Sequence, residues 1–174
     1  PGFPTSLKTR IVADRQQVVR VDREEDLDLR GAALAAACAR IEREAARADG
    51  IVIEDYGKGF VVQPVVDAAL RAARRNGIPC TLDPKDNHEL RVRGIAVATP
   101  NRKEAFVGAQ RKDPGAGPDP LKDRALLAAG RALMERWQPE HLVITLGPLG
   151  MLLLARGDRP RHVPTRARGV FDVG

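Results

Sequence analysis

The chain has 174 residues, 43% of them hydrophobic, enough for one ordinary folded unit with a sizeable core and too apolar for a disordered composition. Aromatic residues make up only 3%, which argues against a surface that stacks bases on rings. The net charge of +6 is mostly Arg interleaved with Glu and Asp, so a solvated surface ranks first, anionic small molecules second and nucleic acid third; no specific nucleic-acid partner is expected.

Residues 1–9 read as loop or edge. Arg10 to Ala13 and Val18 to Asp22 are β-prone pieces joined across Asp14-Arg15-Gln16-Gln17, and their weak alternation predicts a hairpin or meander. Glu24 to Asp28 reads as a solvated acidic turn. Leu34, Cys38, Ile41, Ala45 and Ala48 then form one helical stripe, which Asp49-Gly50 is expected to end through a left-handed glycine. A strand at Ile51 to Ile53 leads into Asp55-Tyr56-Gly57-Lys58-Gly59. A helix over about Gln63 to Arg75 stops at Asn76-Gly77, and a strand from Ile78 to Leu82 runs into Asp83-Pro84-Lys85. Ile95 to Thr99 is a further strand and Asn101 to Val107 a short helix. Gln110 to Pro120 reads as a mobile surface loop; its Gly115-Ala116-Gly117 follows no strand, so it is not taken as a phosphate cradle. Leu126, Ala129, Leu133 and Trp137 mark the last helix. Leu142 to Leu146 and Met151 to Ala155 are strands around Gly147-Pro148-Leu149-Gly150, and Gly157-Asp158 suggests another hairpin leading to Pro160–Pro164. Repetition of helix, glycine, strand and polar turn predicts parallel strands with helical crossovers, turning antiparallel at the end.

Cys38 and Cys80 form no CxxC or metal spacing and read as reduced core thiols of a cytoplasmic protein. His88, His141 and His162 are isolated and receive no role. No run reaches transmembrane length, so no membrane partner is expected. The chain opens on Pro1 and stops on Gly174, which reads as a segment of something longer.

Four polar turns follow strand carboxyl ends: Asp55–Gly59, Asp83–Lys85, Asn101–Glu104 and Thr145–Gly150. In an open parallel sheet such ends converge on one edge, where ligands bind. Alone, Asn101-x-x-Glu104 is better read as a capping box. Together the turns carry Lys58, Lys85 and Lys103 with Asp55, Asp83 and Glu104. Lysines suit phosphate oxygens and a carboxylate suits Mg²⁺ and its waters, which is a kit for phosphoryl transfer.

The wording of the motifs adds a resemblance. Lys8-Thr9-Arg10 with Gln16-Gln17 and Arg20-Val21-Asp22, Asp55-Tyr56-Gly57-Lys58-Gly59, Asp83-Pro84-Lys85, Arg93-Gly94, Thr99-Pro100-Asn101-x-x-Glu104, Val143-Ile144-Thr145 with Gly150-Met151, and Pro164-Thr165 leading to Val170-Phe171-Asp172-Val173 occur in the order found in the ribokinase-type (PfkB) carbohydrate kinases. They are most similar to kinases of D-glycero-β-D-manno-heptose 7-phosphate, which serve ADP-heptose synthesis. The resemblance implies an α/β/α ribokinase-like sandwich with a mostly parallel sheet, incomplete at both ends. It divides a single partial domain into a lid-like β segment, 1–30, and an α/β core, 31–174.

The resemblance implies ATP and Mg²⁺ as cofactors and a sugar phosphate as partner. It puts Asn101, Arg102, Lys103, Glu104, Thr145, Gly147 and Gly150 on the ATP side, with Glu104 reaching the metal through water. It puts Lys8, Arg10, Asp55, Lys58 and Lys85 toward sugar or phosphate, and implies a homodimer through the β lid. The family's Gly-Asp and Gly-Gly-Ala-Asn elements at the start have no counterpart here. The Gly-Ala-Gly-Asp loop that supplies the base is expected beyond Asp172, so no catalytic residue is assigned and the 174-residue chain is expected to be inactive, with one sheet face bare. Another PfkB sugar substrate stays open, as does a non-catalytic remnant acting through protein contacts or weak polyanion binding.

Overall fold

A computed structural model describes residues 5–14, 16–85 and 90–166. Arg15, His88 and the Val170-Phe171-Asp172-Val173 stretch lie outside the described residues. Strands β1 (Leu7–Ala13) and β2 (Gln16–Arg23) form a separate antiparallel hairpin. Both strands are longer than expected, with β2 taking in Gln16 and Gln17, and the register shifts between Ile11 and Val12.

The core sheet has six strands in chain order: β3 (Ile51–Glu54), β4 (Cys80–Asp83), β5 (Val97–Ala98), β6 (His141–Thr145), β7 (Met151–Ala155) and β8 (Arg161–Val163). The first four are parallel, β7 runs antiparallel to β6, and β8 runs antiparallel to β7. β5 is shorter than expected at both ends, and beyond Thr99 Pro100 has no amide to extend the ladder. Thr99 still donates from its amide to the Leu82 carbonyl at 2.9 Å.

Helices α1 (Gly31–Ala45), α2 (Gln63–Asn76), α3 (Arg102–Gly108) and α4 (Arg124–Trp137) complete the fold. α2 packs on β3 and β4, and α4 packs on β6 and β7. Leu82, Ile95, Leu126, Leu133, Leu142, Ile144 and Leu152 are fully enclosed between helices and sheet. Each such side chain contributes about 1.5–3 kcal/mol. α1 packs on α2 instead, which leaves most of its stripe half-buried and only Ala45 enclosed.

Gly77 caps α2 with φ 66°, as its sequence predicts. α1 differs: it ends at Ala45 with Ala46 in the right-handed region, and Gly50 has no positive φ. Arg47 and Ala48 instead bond back three residues to the Glu44 and Ala45 carbonyls, and Gly50 lies against Pro79. On the sheet face away from α2 and α4, Val52 is 71% exposed, Met151 and Val163 are exposed, and Thr81, Val97, Val143 and Leu153 are half-buried.

Gly150 closes the β6–β7 turn with φ 85° and ψ −126°, and a Cβ there would stand 2.1 Å from the Val163 carbonyl oxygen. Gly150→Ala combines a backbone conformation foreign to L residues with a steric clash against β8. We expect it to destabilise the protein by roughly 2–5 kcal/mol, measured by urea unfolding.

Candidate functional site

The parallel register stitches the four polar turns side by side. Asp55 donates its amide to the Asp83 carbonyl at 3.0 Å, and Thr99 Oγ1 donates to Asp83 Oδ1 at 2.9 Å. Thr145 donates its amide to the Pro100 carbonyl at 3.0 Å, and Asn101 forms a parallel bridge with Thr145. Two clefts open along this edge.

The larger cleft has a volume of about 860 Å³ and lies between the hairpin and the ends of β3 and β4. Lys8, Arg10, Asp55, Lys58 and Lys85 all line it, joined by Arg20, Asp22 and Glu24. The hairpin therefore forms one wall and the sheet edge the other. Asp55 is buried, and its Oδ1 accepts the Gly57 amide at 2.8 Å, which tightens the turn. Gly59 is required for close approach: a Cβ there would fall 1.9 Å from the Leu27 carbonyl oxygen, while the Leu27 amide bonds to the Lys58 carbonyl at 2.8 Å. These contacts dock the segment after β2 onto the core.

Two of the cleft lysines are already paired. Lys8 Nζ lies 3.3 Å from Asp22 and 3.1 Å from Glu24, while Lys58 Nζ lies 2.7 Å from Glu24 and 3.5 Å from Asp26. Glu24 thus bridges a hairpin lysine and a core lysine. Hydrogen bonds from Lys58 and then Lys8 hold its carboxyl below the usual range, and the bond to Glu24 raises both lysines. Reading Glu24 as a solvated turn residue missed this link. The available signal was Lys8 facing Asp22 across the hairpin, which brings Glu24 alongside.

The smaller cleft, about 400 Å³, is lined by Asn101, Arg102, Lys103, Ala116, Thr145, Leu146, Gly147 and Leu149. It gathers five of the seven residues assigned to the ATP side. Glu104 and Gly150 do not line it. Asn101 and Glu104 make both halves of a capping box: Asn101 Oδ1 accepts the Glu104 amide at 2.9 Å, and Glu104 Oε2 accepts the Asn101 amide at 2.8 Å. The box leaves Glu104 Oε1 3.9 Å from Lys85 Nζ, so this pair joins the two clefts. No group of three or more His, Cys, Asp or Glu able to hold a metal ion occurs among the described residues. A single carboxylate acting through water fits Mg²⁺, which keeps several of its waters.

Arg102 lines this cleft, and its guanidinium is also held by the loop after α3 and the start of α4. Its guanidinium donates to Asp113, to Asp123 at 2.8 Å and to the Gly115 carbonyl at 2.7 Å, and it lies over the Phe106 ring at 4.9 Å. The Arg102 bond holds the Asp113 carboxyl below its usual range and Asp113 raises Arg102. Burial acts to raise Asp123, but the Leu126 amide and the Arg102 guanidinium outweigh it and the net shift is downward. The Gly115-Ala116-Gly117 segment, set aside for following no strand, reaches the cleft through Ala116. Cys80 is buried and its thiol is pushed up to about 11, which keeps it protonated and unreactive. His162 touches the Leu149 carbonyl at 2.6 Å, a structural contact. Among the described residues no helix is long and apolar enough to cross a membrane.

No family model matches the chain. It is 40% identical over 169 residues to the bifunctional protein HldE of Pelobacter propionicus, covering 97% of this chain and 33% of that protein. It is 36% identical over 173 residues to the bifunctional protein HldE of Geobacter sulfurreducens, covering 99% and 34%. The chain therefore spans about one third of the length of the curated relatives it matches. Among solved structures, ribokinase from Giardia lamblia superposes with a TM-score of 0.67 at 15% identity, over 97% of this chain and 50% of that one. Phosphofructokinase-2 from Escherichia coli in complex with fructose-6-phosphate gives a TM-score of 0.61 at 18% identity, over 91% and 50%.

Glu24 has its carboxyl pKa depressed in the folded chain, so its contribution is present above the ordinary glutamate range and lost as pH falls through the lowered value. We expect the hairpin to loosen from the core as pH falls below the ordinary glutamate range, because protonated Glu24 no longer bridges Lys8 and Lys58. Hydrogen exchange at the Leu27 amide, compared at matched intrinsic rates, should show protection falling there before it falls in β6.

Proposed function

Because the chain is a relative of the HldE proteins and has the ribokinase-like fold, we propose that it is the central part of an ATP-dependent sugar kinase. The acceptor proposed is D-glycero-β-D-manno-heptose 7-phosphate, at its anomeric hydroxyl. The observation that carries this reading is the pair of clefts on one sheet edge, joined by Lys85 and Glu104. In phosphoryl transfer the acceptor oxygen bonds to the γ-phosphorus as the bond to the ADP oxygen breaks, and a base takes the hydroxyl proton. Mg²⁺ would neutralise the phosphate oxygens in that step.

The chain's own residues supply positioning and charge. Asn101, Lys103, Thr145 and Gly147 line the nucleotide cleft, and Glu104, hydrogen-bonded to the Asn101 amide, would reach Mg²⁺ through water. Lys8, Arg10, Lys58 and Lys85 face the sugar phosphate, and Asp55 accepts from a sugar hydroxyl. The segment 1–30, which carries the β1–β2 hairpin, is proposed as a lid on the core segment, 31–174. Leu7, Ile11, Val19 and Val21 are exposed on the hairpin, which supports a homodimer through that lid.

The test uses the protein at its full natural length, with ATP, Mg²⁺ and heptose 7-phosphate against a no-sugar control. Glu104→Gln keeps the capping acceptor but loses the charge. We expect Glu104→Gln and Lys85→Met each to lower kcat by roughly 10²-fold with little change in Tm. ADP release that ignores the sugar, or wild-type kinetics in both variants, would overturn the reading.

A further inference from the structure

We propose that Arg102 is a positioning residue, clamping the loop after α3 so that Ala116 forms a wall of the nucleotide cleft. The inference rests on the kinase reading for the identity of the nucleotide, but the clamp itself stands on geometry. Arg102 is the first residue of α3, and its side chain is only 16% exposed. Nε and Nη2 fork onto Asp113, with bonds of 2.9 and 2.7 Å to its two oxygens. Nη2 also donates to the Gly115 carbonyl, and Nη1 donates to Asp123. Asp113 Oδ1 in turn accepts the Gly115 amide at 2.9 Å, and Asp123 Oδ1 caps α4 by accepting the Leu126 amide at 2.9 Å. One guanidinium therefore ties the loop, the start of α3 and the start of α4 into a single body. A planar fork with several donors suits this task; a lysine ammonium does not.

The clamp has a consequence for the cleft. Ala116 sits one residue beyond the clamped Gly115 and lines the cleft opposite Thr145 and Gly147 of the sheet edge. Asp113 lines no part of it. Asp113 therefore affects a bound nucleotide only through the loop, which separates positioning from direct contact by Arg102.

The experiment compares wild type, Arg102→Met and Asp113→Ala in the protein at its full natural length. Binding is read with a fluorescent ATP analogue, and loop order is read as trypsin cleavage after the exposed Arg111 and Lys112, located by mass spectrometry. We expect both variants to weaken ATP binding by roughly five- to thirtyfold. Both should raise the KM for ATP more than they lower kcat, leave the KM for the sugar phosphate in place and speed cleavage. Weakened binding in Arg102→Met alone would show direct contact and overturn the proposal, as would unchanged cleavage in both variants. If Arg102→Met fails to fold, Asp113→Ala carries the test by itself, and full-strength ATP binding in it refutes the positioning role. A wild-type protein that binds no ATP would sink the kinase reading, while the cleavage rates would still decide the clamp.

Discussion

The backbone hydrogen bonds between neighbouring parallel strand ends are the constraint on which the rest depends. Asp55 bonds to Asp83, Thr99 to Leu82 and Thr145 to Pro100, so four turns from distant parts of the chain finish at one edge. Parallel register makes this unavoidable: every strand that enters from the same side delivers its polar turn to the same place. Helices α2 and α4 hold that register by burying Leu82, Leu142, Ile144 and Leu152 beneath them. The site residues contribute little to this core. Asn101 and Glu104 are the exception, since one capping box both starts α3 and sets where the carboxylate points.

Charge in the site is largely compensated before any ligand arrives. Lys8 and Lys58 share Glu24, and Arg102 is enclosed by Asp113 and Asp123. Exposed pairs of the first kind are worth little in stability, because water and salt screen them. Their value is geometric: they hold the hairpin wall against the core wall and keep the cations at the cleft. A phosphate entering there would compete with Glu24 for the same lysines. The enclosed Arg102 pairs are different, since burial limits screening and the fork geometry leaves the guanidinium few alternatives.

Periodicity and turn chemistry made much of the fold legible. The Gly77 cap, the capping box at Asn101, the helix stripe from Leu126 to Trp137 and the antiparallel finish through Gly147–Gly150 all follow from local rules that tertiary contacts reinforce. The misplaced end of α1 has a tertiary cause. Its stripe meets α2, not the sheet, and Gly50 serves close approach to Pro79 instead of a left-handed cap. The order and wording of the motifs also anticipated the ribokinase-like fold, on which the chain superposes.

The sequence by itself determined which turns are polar and that each follows a strand end, because strand period and helix caps are local properties of the chain. Only the tertiary structure decided how those turns divide into two clefts, with Lys85 and Glu104 between them. It also decided that Glu24 links Lys8 to Lys58, and that Arg102 turns toward Asp113 and Asp123. Those outcomes depend on where a hairpin docks and how a loop folds back. Both are set by long-range pairing of long, flexible charged side chains, whose partners leave no periodic trace in the sequence.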